Sequence, residues 1–507
     1  MNLTNRHIYL FSIVLYLLLQ LFFLDRVTNI WIDEPWYANT SFNFSQGKGL
    51  VDTAVGSAGG GIFNFLYPLG LGIFFKAFGT SLVTARLFSV LVGLIALLGI
   101  IQILRSLRLD NKFVFFGSLI YTFCSVNYIV FRTARPEALE VGLIIWGLYF
   151  LILGFIKSQN QSYFWSGLIA SASFLCHPNA TIYIFLFFAT VLSISVSQSK
   201  FSFISYFLLG GSITLLAFIL YIAFFFQESI PAFIERVMYR SAGGSESFFE
   251  SVWENLSQFV QLYTLGIKRI LVFLVELGVL IWGLFYFRKD KVLFIVSSIG
   301  LSSFLMGILF LRPFSTRGFV AILIFSLIAL SLIISKIQFS KQDKLSMALL
   351  VICGLYFLNN FTGNLYLIHR DYKNTSYSYV DSEIDRIVPD RTKVVTLLNF
   401  WFPLKNNTIY HSYKRWHTTS YNDFDDLLNS GDVEYAVISD YLSKNGTATS
   451  GRDEEPGVYK AKKEYYDKVR NFAELNGERI KTIKTNNYGN IEVWKMNNKR
   501  KPVSLIE

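Results

Sequence analysis

Charged residues are scarce in this chain: Asp, Glu, Lys and Arg together make up only 16% of its 507 residues. Hydrophobic residues account for 53%, aromatic residues for 17%, and Phe alone occurs 50 times. A soluble globular domain has roughly 25% charged residues, so this composition excludes an ordinary water-soluble enzyme. It is typical of a polytopic membrane protein.

Cysteine is also rare, and the three residues Cys124, Cys176 and Cys353 lie in or at the end of apolar runs. Their placement fits neither a disulfide framework nor a clustered metal site. No other set of metal ligands has a recognisable spacing, so we assign no metal-binding residues and no certain cofactor. A divalent metal ion stays an open alternative.

The first apolar segment, residues 8–24, lacks a small-residue cleavage site and continues into Asp25 and Arg26. We interpret it as an uncleaved membrane anchor rather than a removable signal peptide. The loop that follows carries two adjacent carboxylates, Asp33 and Glu34. An ionisable group near a bilayer is costly and usually faces a water-filled cavity or a partner. We therefore take this acid pair as the centre of an active site.

The net charge of +11 could indicate nucleic-acid binding, but Lys and Arg fall mainly in short loops between apolar segments. Basic residues in such loops orient a membrane protein with those loops inside, so we predict no nucleic-acid partner.

Residues 62–78 form a short apolar stretch that contains Pro68 and Gly70, which favours an interfacial helix over a spanning one. Eleven spans then satisfy the charge bias, with the N-terminus cytoplasmic: residues 8–24, 82–104, 113–130, 138–156, 163–176, 180–197, 203–226, 268–287, 292–311, 318–335 and 345–361.

From about residue 362 the composition becomes that of a soluble domain. Apolar alternation predicts strands, a closing hairpin and helices there, at residues 393–398, 435–439, 479–484 with 491–495, 423–428 and 459–475. The predicted fold is an all-α polytopic membrane domain, residues 1–361, with about 11 transmembrane helices and interfacial helices in the first outer loop. A small extracytoplasmic α/β domain, residues 362–507, follows it. This domain has no catalytic signature, and we expect it to tune acceptor access.

Two further loops on the predicted outer face carry paired arginines. One holds Arg132 and Arg135 together with Glu137, and the other ends at Arg317. The guanidinium group is a planar, permanently charged donor that suits phosphate. For any single arginine, contact with water and lipid head groups is an equal alternative, but three polar loops on one face favour a shared site.

These elements resemble a known family. Asp33-Glu34 after the first span, the Pro68 segment leading into residues 78–87, Ala134-Arg135-Pro136-Glu137, and Arg317-Gly318-Phe319 look like recurring positions of the dolichyl-phosphate-mannose protein mannosyltransferase and aminoarabinose transferase superfamily. Its members are integral-membrane C-type glycosyltransferases. Gly318 stands where relatives often have Tyr, and Glu137 where they often have Asp. The likeness covers residues 1–361, and an extracytoplasmic C-terminal domain is common among bacterial relatives.

The resemblance implies a multi-pass enzyme of the bacterial inner membrane and cell envelope. Such an enzyme moves a sugar, a hexose or a pentose, from a polyprenyl-phosphate donor to a hydroxyl of a lipid, glycan or protein acceptor. An attacking hydroxyl needs a carboxylate base, and Asp33 is the candidate, with Glu34 beside it. The departing phosphate needs cationic stabilisation, for which the candidates are Arg135, Arg317, Lys48 and Arg132. Glu137, Tyr37 and His177 are candidates for orienting the acceptor or the sugar.

Two other functions compete with this interpretation. A transporter or flippase of lipid-linked sugars would tend to show repeated halves and polar breaks at mid-membrane, and neither is evident, apart from the polar break at His177-Pro178-Asn179. A membrane-anchored scaffold that presents the C-terminal domain would not require eleven spans. The sequence identifies neither the sugar nor the acceptor.

Overall fold

The computed structural model describes residues 5–54, 64–225, 248–264, 267–285, 289–310, 320–336, 344–410, 424–440 and 456–497. The chain clusters into two compact units. The first, here the helical unit, comprises Met1–Phe22, Phe63–Tyr67 and Leu87–Tyr366. The second, here the mixed unit, comprises Phe23–Ile62, Pro68–Arg86 and Leu367–Glu507. The C-terminal residues therefore share a unit with the loop that carries the acid pair.

Helices dominate the described residues. In chain order they are α1 Asn5–Leu21, α2 Asp33–Ser45, α3 Leu66–Phe78, α4 Leu82–Ser106, α5 Asn111–Phe123, α6 Ser125–Val130, α7 Pro136–Lys157, α8 Asn160–Ala172, α9 Ala180–Gln198, α10 Ser202–Phe225, α11 Phe248–Thr264, α12 Ile267–Phe285, α13 Lys291–Phe310, α14 Val320–Lys336, α15 Lys344–Asp371 and α16 Tyr377–Asp385. The predicted boundary at residue 361 falls inside α15.

Six of the described helices are long and apolar enough to cross a bilayer: α4, α7, α9, α10, α13 and residues 347–371 of α15. The chain is therefore a multi-pass membrane protein, while the count of about eleven spans stays a prediction. Helix α3 has 13 residues and is about 20 Å long at 1.5 Å per residue. This is shorter than the roughly 30 Å hydrocarbon core of a bilayer, as the interfacial prediction for this segment requires.

Glycine allows the backbones of α8 and α10 to approach closely. A Cβ atom on Gly167 of α8 would lie 2.0 Å from the carbonyl oxygen of Phe207, and one on Gly210 of α10 would lie 2.1 Å from that of Phe164. Any side chain at either position would clash with backbone. Small residues that let backbones approach are the usual basis of helix association in membranes.

The predicted span 113–130 is not one continuous helix, because the backbone turns at Cys124 between α5 and α6 (φ −57°, ψ 119°). A break at membrane depth leaves backbone groups that need partners. Two amides one turn apart on α15 supply them: Asn360 Oδ1 accepts from the Ser125 amide at 3.0 Å, and Asn364 Nδ2 donates to the Phe123 carbonyl at 2.8 Å. The apolar pattern alone gave no sign of this break.

The C-terminal part of the mixed unit is built on a five-stranded sheet in the order β2-β1-β3-β5-β4. The strands are β1 Lys393–Thr396, β2 Thr408–Tyr410, β3 Tyr435–Ser439, β4 Gly477–Lys484 and β5 Asn490–Met496, and two helices accompany them, α17 Phe424–Asn429 and α18 Pro456–Asn476. Strand β1 pairs in parallel with β2 and β3, whereas β5 pairs antiparallel with β3 and β4. The predicted strands, helices and closing hairpin are confirmed; β2 was not predicted.

One cluster of buried side chains forms the core beneath this sheet. It joins Val395 of β1 and Ala436 of β3 to Leu427 of α17 and to Phe472 of α18, all fully buried. Burial of a large apolar side chain contributes about 1.5–3 kcal/mol. The mixed strand directions follow from the chain order, because helix-linked strands run parallel and the tight β4–β5 hairpin must run antiparallel.

Helix α16 contains a half-buried carboxyl group, that of Asp381, which weakens this unit at neutral pH. Burial raises the pKa of Asp381 to about 6, a repulsion from Asp385 adds to this, and Lys405 opposes it. The raised pKa means that the folded state holds the proton more tightly than the unfolded state. The resulting stabilisation is complete below about pH 4 and is lost as the pH rises through about 6.

We therefore expect Asp381→Asn to raise the melting temperature at pH 7 and to have no such effect at pH 3.5. The gain should be on the order of 1–2 kcal/mol, after allowance for the partial exposure of the side chain. The exposed Asp385 on the same helix is the control, and Asp385→Asn should change the melting temperature much less. Equal gains for Asp381→Asn at both pH values would contradict this assignment.

Candidate active site

Asp33 and Glu34 open helix α2, as the sequence suggested, and their side chains have different environments. Carboxylates are favoured in the first turn of a helix, where they face the positive end of the helix dipole. Asp33 is partly exposed, and its Oδ2 accepts a hydrogen bond from Trp31 Nε1 at 3.2 Å. Part of Asp33 is therefore accessible to solvent, in contrast to Glu34.

Glu34 is fully buried in an ion pair with Arg86 of α4, whose guanidinium is also fully buried. Arg86 Nε donates to Oε2 and Nη2 donates to Oε1, each at 2.9 Å. The Trp31 amide donates to Oε1 at 2.9 Å as well. This two-pronged arrangement is the strong geometry for arginine and carboxylate. Both oxygens of Glu34 are thus occupied, which suits a positioning group better than a proton acceptor.

Arg86 also binds the loop that precedes α2. Its Nη1 donates to the carbonyl oxygens of Leu24 at 2.8 Å and Thr28 at 3.0 Å, and Nη2 donates to that of Asn29 at 3.4 Å. One guanidinium therefore joins Glu34 to the backbone that leads up to Asp33. Sequence reasoning assigned Arg86 no role, although an arginine near the start of an apolar helix should have prompted a search for its partner.

A second polar contact surface lies further along α2. Asn39 Oδ1 accepts from the amides of Thr53 at 2.9 Å and Ala54 at 3.1 Å, and Trp36 Nε1 donates to Asp52 Oδ2 at 2.9 Å. These bonds hold residues 51–54 against the helix. They give the buried Asn39 side chain its hydrogen-bond partners.

Two other predicted site residues lie on or just after α2. Tyr37, a candidate for orienting the acceptor, is buried and stacks on Trp36 with 5.4 Å between ring centroids. Lys48, a candidate for phosphate binding, is exposed in the turn after the helix, where its amide donates to the Asn43 carbonyl at 2.9 Å.

In the helical unit, Arg135 and Glu137 form an ion pair at the start of α7. Arg135 Nε donates to Glu137 Oε2 at 3.1 Å and Nη2 donates to Oε1 at 2.5 Å. Pro136 between them takes the first helical position, where its missing amide hydrogen has no cost. Glu137 also interacts electrostatically with His177, which follows the 3₁₀ turn Ser173–Leu175. The structure thus brings three of the predicted residues together.

Arg132 lies apart from that group, in the interior of the helical unit. Its side chain is fully buried, with the guanidinium over the ring of Tyr128 at 4.5 Å and Nη2 donating to the Phe22 carbonyl at 2.8 Å. It ties the end of α6 to the segment after α1.

The other predicted phosphate-binding arginine, Arg317, falls outside the described residues. Within the described ranges, no three His, Cys, Asp or Glu side chains come together to hold a metal ion.

Residues 65–223 match the model of a protein family described as dolichyl-phosphate-mannose-protein mannosyltransferase. This stretch includes Arg86 and the Arg135–Glu137 pair. A search of curated protein sequences finds no match. The resemblance to this family, inferred from the sequence motifs, is supported over residues 65–223 by this match.

The fold is similar to those of two solved proteins. ArnT from Cupriavidus metallidurans bound to undecaprenyl phosphate aligns with a TM-score of 0.58 and 11% identity, over 96% of this chain and 97% of that one. The apo state of ArnT aligns with a TM-score of 0.53. The arabinofuranosyltransferase AftD from Mycobacteria aligns with a TM-score of 0.54 and 13% identity, over 99% of this chain and 40% of that one. At these identities the likeness shows a shared fold.

Proposed function

We propose that this chain, which shares the fold of ArnT and a family match with the dolichyl-phosphate-mannose-protein mannosyltransferases, is a membrane glycosyltransferase. It moves a sugar from a polyprenyl-phosphate donor to an acceptor hydroxyl. The observation that carries the proposal is the geometry of the acid pair. A reachable carboxylate, Asp33, stands next to a fully buried Glu34–Arg86 pair that fixes its backbone. Such preorganisation is what catalysis by a positioned base requires.

In the proposed step, a carboxylate oxygen of Asp33 takes the proton of the acceptor hydroxyl as the acceptor oxygen bonds to the anomeric carbon. The bond from that carbon to the phosphate oxygen breaks, and its electron pair stays on the phosphate. Guanidinium groups suit the charge that develops there. We assign this role to Arg135 and Arg317, with Lys48 in support, and Glu137 orients Arg135 through their ion pair.

The remaining predicted residues receive positioning roles in this proposal. Glu34 holds Arg86 rather than reacting, because three donors already occupy its oxygens. Arg132 fixes the end of α6 from the interior, and Tyr37 holds the ring of Trp36, its neighbour on α2, by stacking on it. His177, which interacts electrostatically with Glu137, orients the sugar or the acceptor.

Donor turnover by the purified protein tests this function. A panel of labelled polyprenyl-phosphate sugars, pentosyl and hexosyl, is incubated with the protein and with candidate lipid, glycan and protein acceptors, and the products are identified by mass. We expect release of free polyprenyl phosphate together with a glycosylated acceptor. A donor that stays chemically intact while its head group crosses a vesicle membrane would support the transporter alternative and overturn the proposal.

We also propose that the N-terminus is cytoplasmic and that the C-terminal domain is extracytoplasmic, because most loop Lys and Arg residues then lie inside. A periplasm-specific reporter fused after Glu507 is expected to be active. The same reporter inserted after Leu107, in the basic loop between α4 and α5, should be inactive. An active reporter after Leu107 together with an inactive reporter after Glu507 would show that the orientation is the opposite one.

A further inference from the structure

The loop that leads into the acid pair is held by residues from the C-terminal part of the mixed unit. At its beginning, the Tyr377 amide donates to the Asp25 carbonyl at 3.2 Å, and Ser376 Oγ donates to the Asp25 carboxylate. These partners lie more than 350 positions apart in the chain. The contact places the start of α16 directly against the start of the loop.

Asn29, four residues before Asp33, is bound by two amides. Its Oδ1 accepts from Asn487 Nδ2 at 2.9 Å and from Asn374 Nδ2 at 3.2 Å. Asn374 precedes α16, and Asn487 lies in the turn between β4 and β5. Two separate segments of the C-terminal part therefore converge on a single oxygen atom.

Ile30 is held through its backbone on both sides. Its carbonyl accepts from Asn399 Nδ2 at 3.2 Å, and its amide donates to Tyr488 Oη at 3.5 Å. Asn399 is itself fixed, since Tyr377 Oη donates to its carbonyl at 2.6 Å. On the helix side, Phe42 of α2 packs edge-on against Trp401 at 5.9 Å.

The turn that presents Asn487 and Tyr488 is itself well ordered. Thr485 Oγ1 donates to the Gly489 carbonyl at 2.7 Å and accepts from the Tyr488 amide at 2.9 Å. Gly489 has φ +72°, a left-handed conformation that glycine adopts without strain. A rigid turn loses little freedom when it binds another segment, so it suits the role of a fixed support.

These contacts and those of Arg86 bind the same short loop, which lies between α1 and α2. Arg86 donates hydrogen bonds to the carbonyl oxygens of Leu24, Thr28 and Asn29. The C-terminal residues bind the side chain of Asn29 and the backbone of Ile30. Between them, the bonds cover most of the residues before the acid pair. A misplacement of about 1 Å at a catalytic group can cost on the order of 100-fold in rate.

We propose that Asn399 and Asn487 are positioning residues for Asp33, and that the C-terminal domain is an integral support of the catalytic loop. This rests on the proposed function, in which Asp33 is the base. It replaces the expectation that the domain only tunes acceptor access.

The test compares alanine variants of three asparagines in the C-terminal part. Asn487→Ala and Asn399→Ala are expected to lower turnover by about 10- to 100-fold with the donor KM unchanged. Asn406→Ala is the control, because among the described residues the exposed Asn406 side chain donates to Asp390 of the C-terminal part; this variant should keep near-normal turnover. Equal losses in all three variants, or none in any, would overturn the proposal.

Reciprocal changes at Asn29 separate positioning from general damage. Asn29→Asp keeps the accepting oxygen and should retain most of the turnover, whereas Asn29→Ala removes it and should behave like Asn487→Ala. Melting temperatures should stay close to that of the wild type in every variant. A turnover that falls only in proportion to a lowered melting temperature would mean that the asparagines serve stability alone.

Amide hydrogen exchange gives a measure that does not depend on activity. Asn487→Ala and Asn399→Ala should speed exchange in residues 24–34, and Asn406→Ala should not. If the wild type turns over no donor in any screen, the proposed function fails, yet this exchange pattern still reports on the support. If donor is turned over but exchange in residues 24–34 is unchanged in Asn487→Ala and Asn399→Ala, the support is contradicted and the function stands.

Discussion

Replacing Asp33 by Asn is expected to lower turnover by about 100-fold or more while donor affinity stays the same. The amide has the same size and can still accept the hydrogen bond from Trp31 Nε1, but it has no basic oxygen to take the proton of an acceptor hydroxyl. The buried Glu34–Arg86 pair next to it is untouched by the change. The melting temperature should therefore change little.

Arg135→Ala is the comparison that separates loss of the base from loss of phosphate binding. The carrier phosphate is charged before and after transfer, so loss of a guanidinium should weaken donor binding as well as turnover. Melting temperature, donor affinity and turnover are measured on the same preparation of each variant. A folded Asp33→Asn protein with undiminished turnover would show that another group is the base. Lost expression with normal turnover in the remaining protein would indicate a structural role for Asp33.

The features that the sequence predicted correctly are those encoded by neighbouring residues. Alternating apolar residues indicated β3 and the β4–β5 hairpin, and the Asn487–Asn490 turn between its strands follows from local turn chemistry. The acid pair attracted notice because two carboxylates after an apolar segment are unusual in any membrane protein, and its catalytic role stays a prediction. Each of these signals spans fewer than about 20 residues and needs no knowledge of the fold.

The features that it missed depend on contacts between distant residues. Glu34 and Arg86 lie 52 positions apart, and Asn29 and Asn487 lie 458 apart. A single sequence carries no information on which of its 46 basic residues meets a given carboxylate. The inward direction of Arg132 was missed for the same reason, because loop arginines were expected to face a substrate. Their rotamers are set by packing, which composition does not reveal.

Arg86→Met is expected to have the largest effect on the folded protein. It leaves the buried Glu34 carboxylate without its partner, and breaking a buried ion pair in this way costs about 3–5 kcal/mol. The change also removes the donors to the carbonyls of Leu24, Thr28 and Asn29. Both the melting temperature and turnover should therefore fall sharply, unlike the selective loss expected for Asp33→Asn.

Two further variants identify the physical cause of the losses expected for Arg86→Met. Arg86→Lys keeps the charge but offers a single ammonium in place of the planar fork, so it should restore only part of the stability. Arg105→Met on the same helix removes a guanidinium that bonds to Tyr9 Oη and is only partly buried, and it should cost less than about 1 kcal/mol. If Arg86→Met melted no lower than Arg105→Met, the buried pair could not be what holds the loop in place. Asp33 would then depend for its position on the asparagines of the C-terminal domain alone, and Asn487→Ala would become the more damaging change.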